Sequence, residues 1–239
     1  MKVNKLWLIF SSVAAVTALL MGLSSQDDTT DMKMADLEKN TINRDVIHQS
    51  FDDIVEARDT LPDYKSNVTL TNWRAADEMA EAMYEDSEGA FQKEWGLFLA
   101  SEALHRDIDP FLVYELLRVE TGDRFDPEMV GPQTRYGRAY GIAQFMTNTA
   151  PWIAEMAGIE YDEEKLFDPY YSMFLSVEYL DFLYDRYDDW NHALTAYHRG
   201  IYGMETYVNQ NGHAKSWYAV EIQENADHTG TLVTYNQSR

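Results

Sequence analysis

The chain has 239 residues, 41 acidic and 19 basic, for a formal net charge of −22 with histidine neutral; at 45% hydrophobic it suffices for one compact domain with appendages but hardly for two. Phosphate backbones are held by clustered Lys and Arg, and no basic stripe relieves this acidity, so no nucleic-acid partner is expected. Cysteine is absent, which rules out disulfides, thiolate metal sites and cysteine nucleophiles; the six histidines (His48, His105, His192, His198, His213, His228) form no H-E-x-x-H pattern, so neither a metal nor another cofactor is expected.

Lys2 and Lys5 precede Leu6 to Leu23, a segment apolar apart from Ser11, Ser12 and Thr17 and near the lower limit for spanning a bilayer. Residues 1–25 are therefore expected to be a signal peptide or signal anchor. The basic flank stays inside, so the remainder is extracytoplasmic, held by a single pass or, if cleavage follows Gly22 and Ser24, secreted. Residues 26–70 read as an acidic stalk with one short helix near Asp45 to Arg58, ended by Leu61-Pro62. Ile47, Phe51, Ile54 and Val55 fall at helical spacing within it.

From Thr71 onward the pattern is helical. Trp73, Ala76, Ala80 and Met83 mark one face of a helix over Asn72 to Tyr84, and Phe91, Trp95, Phe98, Leu99 and Ala103 repeat near the helical period from Ser87 to His105. Asp109-Pro110 supplies a cap and first-turn proline for a helix ending at Thr121, where Gly122 stops it. Thr149 and Pro151 open another, closed by Gly158; Asp168-Pro169 opens one reaching Tyr187; Asp189 caps Trp190 to Arg199 before Gly200. Short strands are plausible only near Arg135 to Ile142 and Thr231 to Tyr235, and residues 223–239 read as a C-terminal tail. The fold class is mainly α.

One acid stands out. Val113, Leu116 and Leu117 lie seven, four and three positions before Glu120, so the helical period sets its carboxylate at the edge of the apolar stripe. Burial penalises the ionised form, and a carboxyl kept protonated near neutral pH can donate to a leaving group. On position alone, a helix-end glutamate reaching past Leu117 into solvent is the commoner arrangement.

Glu120-Thr121, Phe125-Asp126-Pro127, Gly141-Ile142-Ala143-Gln144-Phe145-Met146, Leu166-Phe167-Asp168-Pro169 with Tyr179-Leu180, and Ala196-Tyr197-His198-Arg199-Gly200 follow in order. Together, over roughly residues 90–222, they resemble the soluble-type (SLT) catalytic domain of the lytic transglycosylases, relatives of goose-type lysozyme. The resemblance implies a lysozyme-like helical domain, residues 71–222, with a groove for peptidoglycan glycan strands. It implies cleavage between N-acetylmuramic acid and N-acetylglucosamine without water, leaving a 1,6-anhydromuramic end. Glu120 would be the single acid and base, whereas most glycosidases use two carboxyl groups. Asp123 and Glu128 read as solvated, and Asp126 as a loop former before Pro127.

The resemblance also marks Gln144 as a groove residue with a donating and accepting amide, Gly141 as a point of close backbone approach, and Tyr197 as a tyrosine whose hydroxyl meets the acid. Trp190, Ala193, Leu194 and Tyr197 equally form an ordinary core stripe. Tyr218 matches a late cleft tyrosine only loosely. Two departures touch the site: Thr121 stands where serine is usual, and His198 stands where asparagine is usual, adding a titratable group to the substrate-binding set. The loop from Pro127 to Gly141 is longer than the common form, and Arg135 and Arg138 either meet substrate carboxylates or are solvated. Expected partners are glycan strands, the membrane, and a secretion, conjugation or phage-related machine. A hydrolytic muramidase of the same fold and a non-catalytic peptidoglycan-binding scaffold are the alternatives.

Overall fold

A computed structural model describes residues 70–236, with side chains from Trp73 to Thr231. The expected membrane segment and stalk lie outside the described residues. Among the described residues no helix is long and apolar enough to cross a membrane.

Helices α1 (Leu70–Asp86) and α2 (Lys93–His105) pack closely because their contact is made of small residues. A Cβ on Gly96 would sit 2.9 Å from the Cα of Ala80, so only glycine permits this approach. The expected helix start at Ser87 moves to Lys93, since Glu88 and Gly89 take left-handed φ angles of 54° and 83°. The Ser87 hydroxyl instead accepts from the Phe91 amide at 3.0 Å and turns the chain.

Helix α3 (Pro110–Thr121) is buried on nearly every side from Pro110 to Leu117. Asp109 accepts from the Phe111 amide at 2.9 Å, proline occupies the first turn, and Gly122 closes the helix at φ 58°. The following loop carries a two-residue hairpin, β1 (Ala139–Tyr140) and β2 (Phe145–Met146), antiparallel, with Tyr140 opposite Phe145. Phe125 closes over the start of this loop, stacked on Tyr114 at 5.1 Å and against Phe91 at 5.0 Å.

Helix α4 (Ala150–Met156) and a 3-10 turn (Glu164–Phe167) lead to α5 (Pro169–Tyr187) and α6 (Trp190–Arg199). Asp168 accepts from the Tyr170 and Tyr171 amides, and Asp189 from the His192 amide at 2.9 Å. Both aspartates thus act as the N-caps their positions imply. Helix α7 (Ile201–Asn211) then turns the chain toward α8 (Trp217–Asn236).

The C-terminal tail and strand expected after residue 222 are instead the continuation of α8 to Asn236. Tyr218, Ala219, Ile222, Ala226 and Thr229 are buried at helical spacing along α3, and Gly230 lies against the Phe111 ring. Burying a side chain such as Ile222 contributes about 1.5–3 kcal/mol, enough to outweigh the weak helix propensities of Thr229, Gly230 and Thr231. Charges near this core are paired: Arg118 bridges Asp86 and Glu115, and Arg106 bridges Glu102 and Glu178.

Candidate active site

The end of α3, the β1–β2 hairpin with its preceding loop, α5 and the end of α6 enclose a cleft of about 720 Å³. Glu120 lines it, with Gln144, Tyr179, Tyr197 and His198. Among the lining residues Glu120 is the only carboxylic acid. Asp123 and Glu128 are exposed and Asp126 half-buried outside the lining, where Asp126 accepts from the Glu128 amide at 3.0 Å to form the loop. Among the described residues no cluster of metal-ligating side chains occurs.

Glu120 is placed one residue before the end of α3, and local chemistry fixes that end. The buried Thr121 hydroxyl donates to the Leu117 carbonyl at 2.7 Å and accepts from the Phe125 amide at 3.0 Å, tying helix to loop. On the far side, the Ser216 hydroxyl accepts from the Ala219 amide at 3.2 Å, capping α8, and meets the Thr195 hydroxyl of α6 at 2.7 Å. That cap orients the first turn of α8 so that the Tyr218 hydroxyl donates to Glu120 Oε1 at 2.6 Å.

Burial pushes the Glu120 carboxyl up to about 7, against the opposing pull of the Tyr218 hydrogen bond. Glu120 therefore holds a proton over much of the neutral range and can release it there. Burial and the neighbouring Glu120 charge hold the Tyr197 and Tyr218 phenols well above their usual range, so both remain donors.

Tyr197 departs from the expected arrangement. Its ring lies 5.4 Å from Tyr179 and 5.9 Å from Phe145, and its hydroxyl donates to the Ala143 carbonyl at 3.1 Å rather than to Glu120. The donor to the acid is Tyr218, whose sequence match was loose because a single tyrosine on a weakly patterned helix carries little signal. His198 stacks on that same tyrosine at 4.6 Å, and burial together with Arg199 lowers its imidazole below the usual value.

Gln144 lines the cleft in a left-handed conformation, φ 50°, with its amide nitrogen donating to Gly141 O at 2.8 Å and Met129 O at 3.2 Å. Thr121 and Gly141 are not among the lining residues. Gly141, at φ 76°, approaches the 3-10 turn: an added Cβ would fall 1.8 Å from the Leu166 carbonyl oxygen. Its close approach is thus to protein backbone, and both residues set the cleft wall from behind. Phe145, Met146, Tyr179 and Arg199 also line the cavity; all four fall within the motifs quoted from the sequence but carried no site role there.

No curated protein matches the chain. Among solved structures, an inactive mutant of lytic transglycosylase Slt from Pseudomonas aeruginosa is similar, with a TM-score of 0.48 and 17% identity over 68% of this chain. The chain spans 30% of that structure's length. A family model described as the transglycosylase SLT domain matches residues 98–220. That stretch is more than half of the chain, runs from α2 into α8, and holds Glu120, Tyr197 and Tyr218. The chain belongs to the transglycosylase SLT domain family.

Proposed function

We infer that this chain is a peptidoglycan lytic transglycosylase in which Glu120 serves alone, first as acid and then as base. Protonated Glu120 donates to the oxygen linking C1 of N-acetylmuramic acid to C4 of N-acetylglucosamine, and the C1–O bond breaks. The substrate's acetamide supports the electron-poor C1. Glu120, now a carboxylate, takes the proton of the C6 hydroxyl as that oxygen bonds to C1, which regenerates the acid and leaves a 1,6-anhydro end. Water is neither consumed nor released.

The observation that carries this reading is a single carboxyl in the cleft, pushed to about 7 and hydrogen-bonded by Tyr218. A two-carboxylate hydrolase sets its acids roughly 5–9.5 Å apart across the bond, and among the described residues no second acid lines this cavity. The test is mass spectrometry of purified peptidoglycan after incubation with the full chain, beside Glu120→Gln. Anhydro-muropeptides from the parent chain alone are expected. Reducing-end muropeptides would make it a muramidase, and binding without release by either protein would make it a scaffold.

The basic flank and apolar run at Leu6 to Leu23 support an extracytoplasmic placement, anchored in the membrane or secreted to the cell wall. The biological role that follows is remodelling or local opening of the wall, alone or for a secretion, conjugation or phage-related machine. Protease protection of the chain in intact cells tests the topology.

A further inference from the structure

Two arginines reach the Glu120 cleft from separate elements: Arg135 from the loop before β1 and Arg199 from the last residue of α6. Each is braced on an aromatic ring, Arg135 at 4.5 Å from the centroid of Tyr136 and Arg199 at 4.8 Å from that of Tyr207. Neither has a carboxylate or hydrogen-bond partner among the described residues. Four other arginines are held by main chain or acids: Arg106 and Arg118 in ion pairs, Arg124 and Arg138 on the Thr121 and Gly131 carbonyls. In a chain with 41 acids and 19 bases, these two guanidiniums face a cavity whose one lining acid, Glu120, forms no ion pair with either.

Their placement relative to the acid is also selective. A guanidinium in contact with Glu120 would pull its carboxyl down and spoil a proton donor, yet the opposing pull on Glu120 comes from Tyr218. The arginines stand at the cleft walls, and with Glu120 protonated the cavity carries positive charge inside a strongly negative chain. Such a field concentrates and orients anions that the rest of the surface repels. The planar guanidinium fork suits a carboxylate, and a braced one loses less freedom on binding.

We propose that Arg135 and Arg199 hold the carboxylates borne by the glycan's substituents, so that the cleft selects carboxylate-bearing strands over neutral ones. This rests on the reading of the cleft as a glycan site. The carboxylate has two sources, the lactyl group of denuded muramic residues or the stem peptides built on it. A structural role for Arg199, as a last-turn cation favoured by the helix dipole, would not depend on substrate charge.

The test compares the full chain with Arg135→Gln, Arg199→Gln and Arg199→Lys on peptide-bearing peptidoglycan, on the same material with its carboxyls amidated, and on denuded strands. Each Gln substitution is expected to lower kcat/KM about tenfold on carboxylate-bearing material, mainly through KM, with partial recovery for Lys and no loss on amidated material. The denuded and peptide-bearing arms separate the two sources. Equal losses on charged and amidated substrates, or no loss on any, would overturn the proposal. Cosedimentation of Glu120→Gln with each material runs beside it: charge-dependent binding without turnover by the parent chain would sink the enzymatic reading and leave this one standing. Turnover and binding both indifferent to carboxylates would do the reverse.

Discussion

Replacing Glu120 by glutamine should stabilise the protein while abolishing its activity, and the gain should depend on pH. The Glu120 carboxyl sits at about 7 in the folded chain against an ordinary value of 4.5. Between those two pH values the folded state keeps a proton that the unfolded chain has released. The contribution of this group to stability is therefore full below about pH 4.5, falls as pH rises, and is lost through pH 7. At 1.36 kcal/mol per pK unit, ionising this group costs about 3 kcal/mol in all. Glutamine escapes that cost and still offers an oxygen to Tyr218. Urea unfolding followed by circular dichroism at pH 8 should thus show Glu120→Gln more stable by about 2–3 kcal/mol, and at pH 4.5 nearly equal to the parent. A variant less stable at pH 8, or a difference that does not change with pH, would refute the claim that the fold holds this acid against its own ionisation. Glu115 makes the comparison sharper. Burial pushes it to about 7 as well, but it accepts from the Thr229 hydroxyl at 3.0 Å and lies 3.2 Å from Arg118. Its replacement strips a charged partner from the half-buried Arg118 guanidinium, so Glu115→Gln should lose stability where Glu120→Gln gains it.

Tyr218→Phe removes the hydroxyl that favours the Glu120 carboxylate, so the basic limb of the kcat/KM profile should move up by about one pH unit; a limb that stays or moves down would show that this bond does not tune the acid. Thr121→Val leaves the Phe125 amide without its acceptor and should cost about 1–3 kcal/mol in urea unfolding, whereas Thr121→Ser should cost much less. If both cost the same, the hydroxyl is not what ties α3 to the loop. Gly141→Ala forces a Cβ into the Leu166 carbonyl at a left-handed φ and should lose roughly 2–4 kcal/mol with a lower melting temperature, an expectation that an unchanged melting curve would defeat.

Much of the architecture was legible because its helix ends are chemically explicit. Asp109-Pro110 with Gly122, Asp168-Pro169 and Asp189 with Gly200 place α3, α5 and α6 at the ends the structure shows, and each aspartate caps as its position implies. Helix α8 was not legible. Its Thr229-Gly230-Thr231 run reads as tail or strand, and only the groove along α3 makes it helical. The same gap hid the Tyr218 contact with Glu120, which spans 98 positions in the chain and leaves no local pattern. Gly141 was legible as a close approach but not as to what, since sequence spacing cannot place the Leu166 carbonyl beside it.

The position of Glu120 within α3 has a consequence for how an acid is built. Asp109 occupies the end of the helix where peptide dipoles favour negative charge, while Glu120 occupies the other end, just before Gly122, where they oppose it. The backbone therefore works in the same direction as the burial that resists ionisation of the acid, and no neighbouring carboxylate is needed to do so. A cleft built this way can stay free of fixed negative charge, so a polymer that carries anions meets no repulsion on the path to its proton donor.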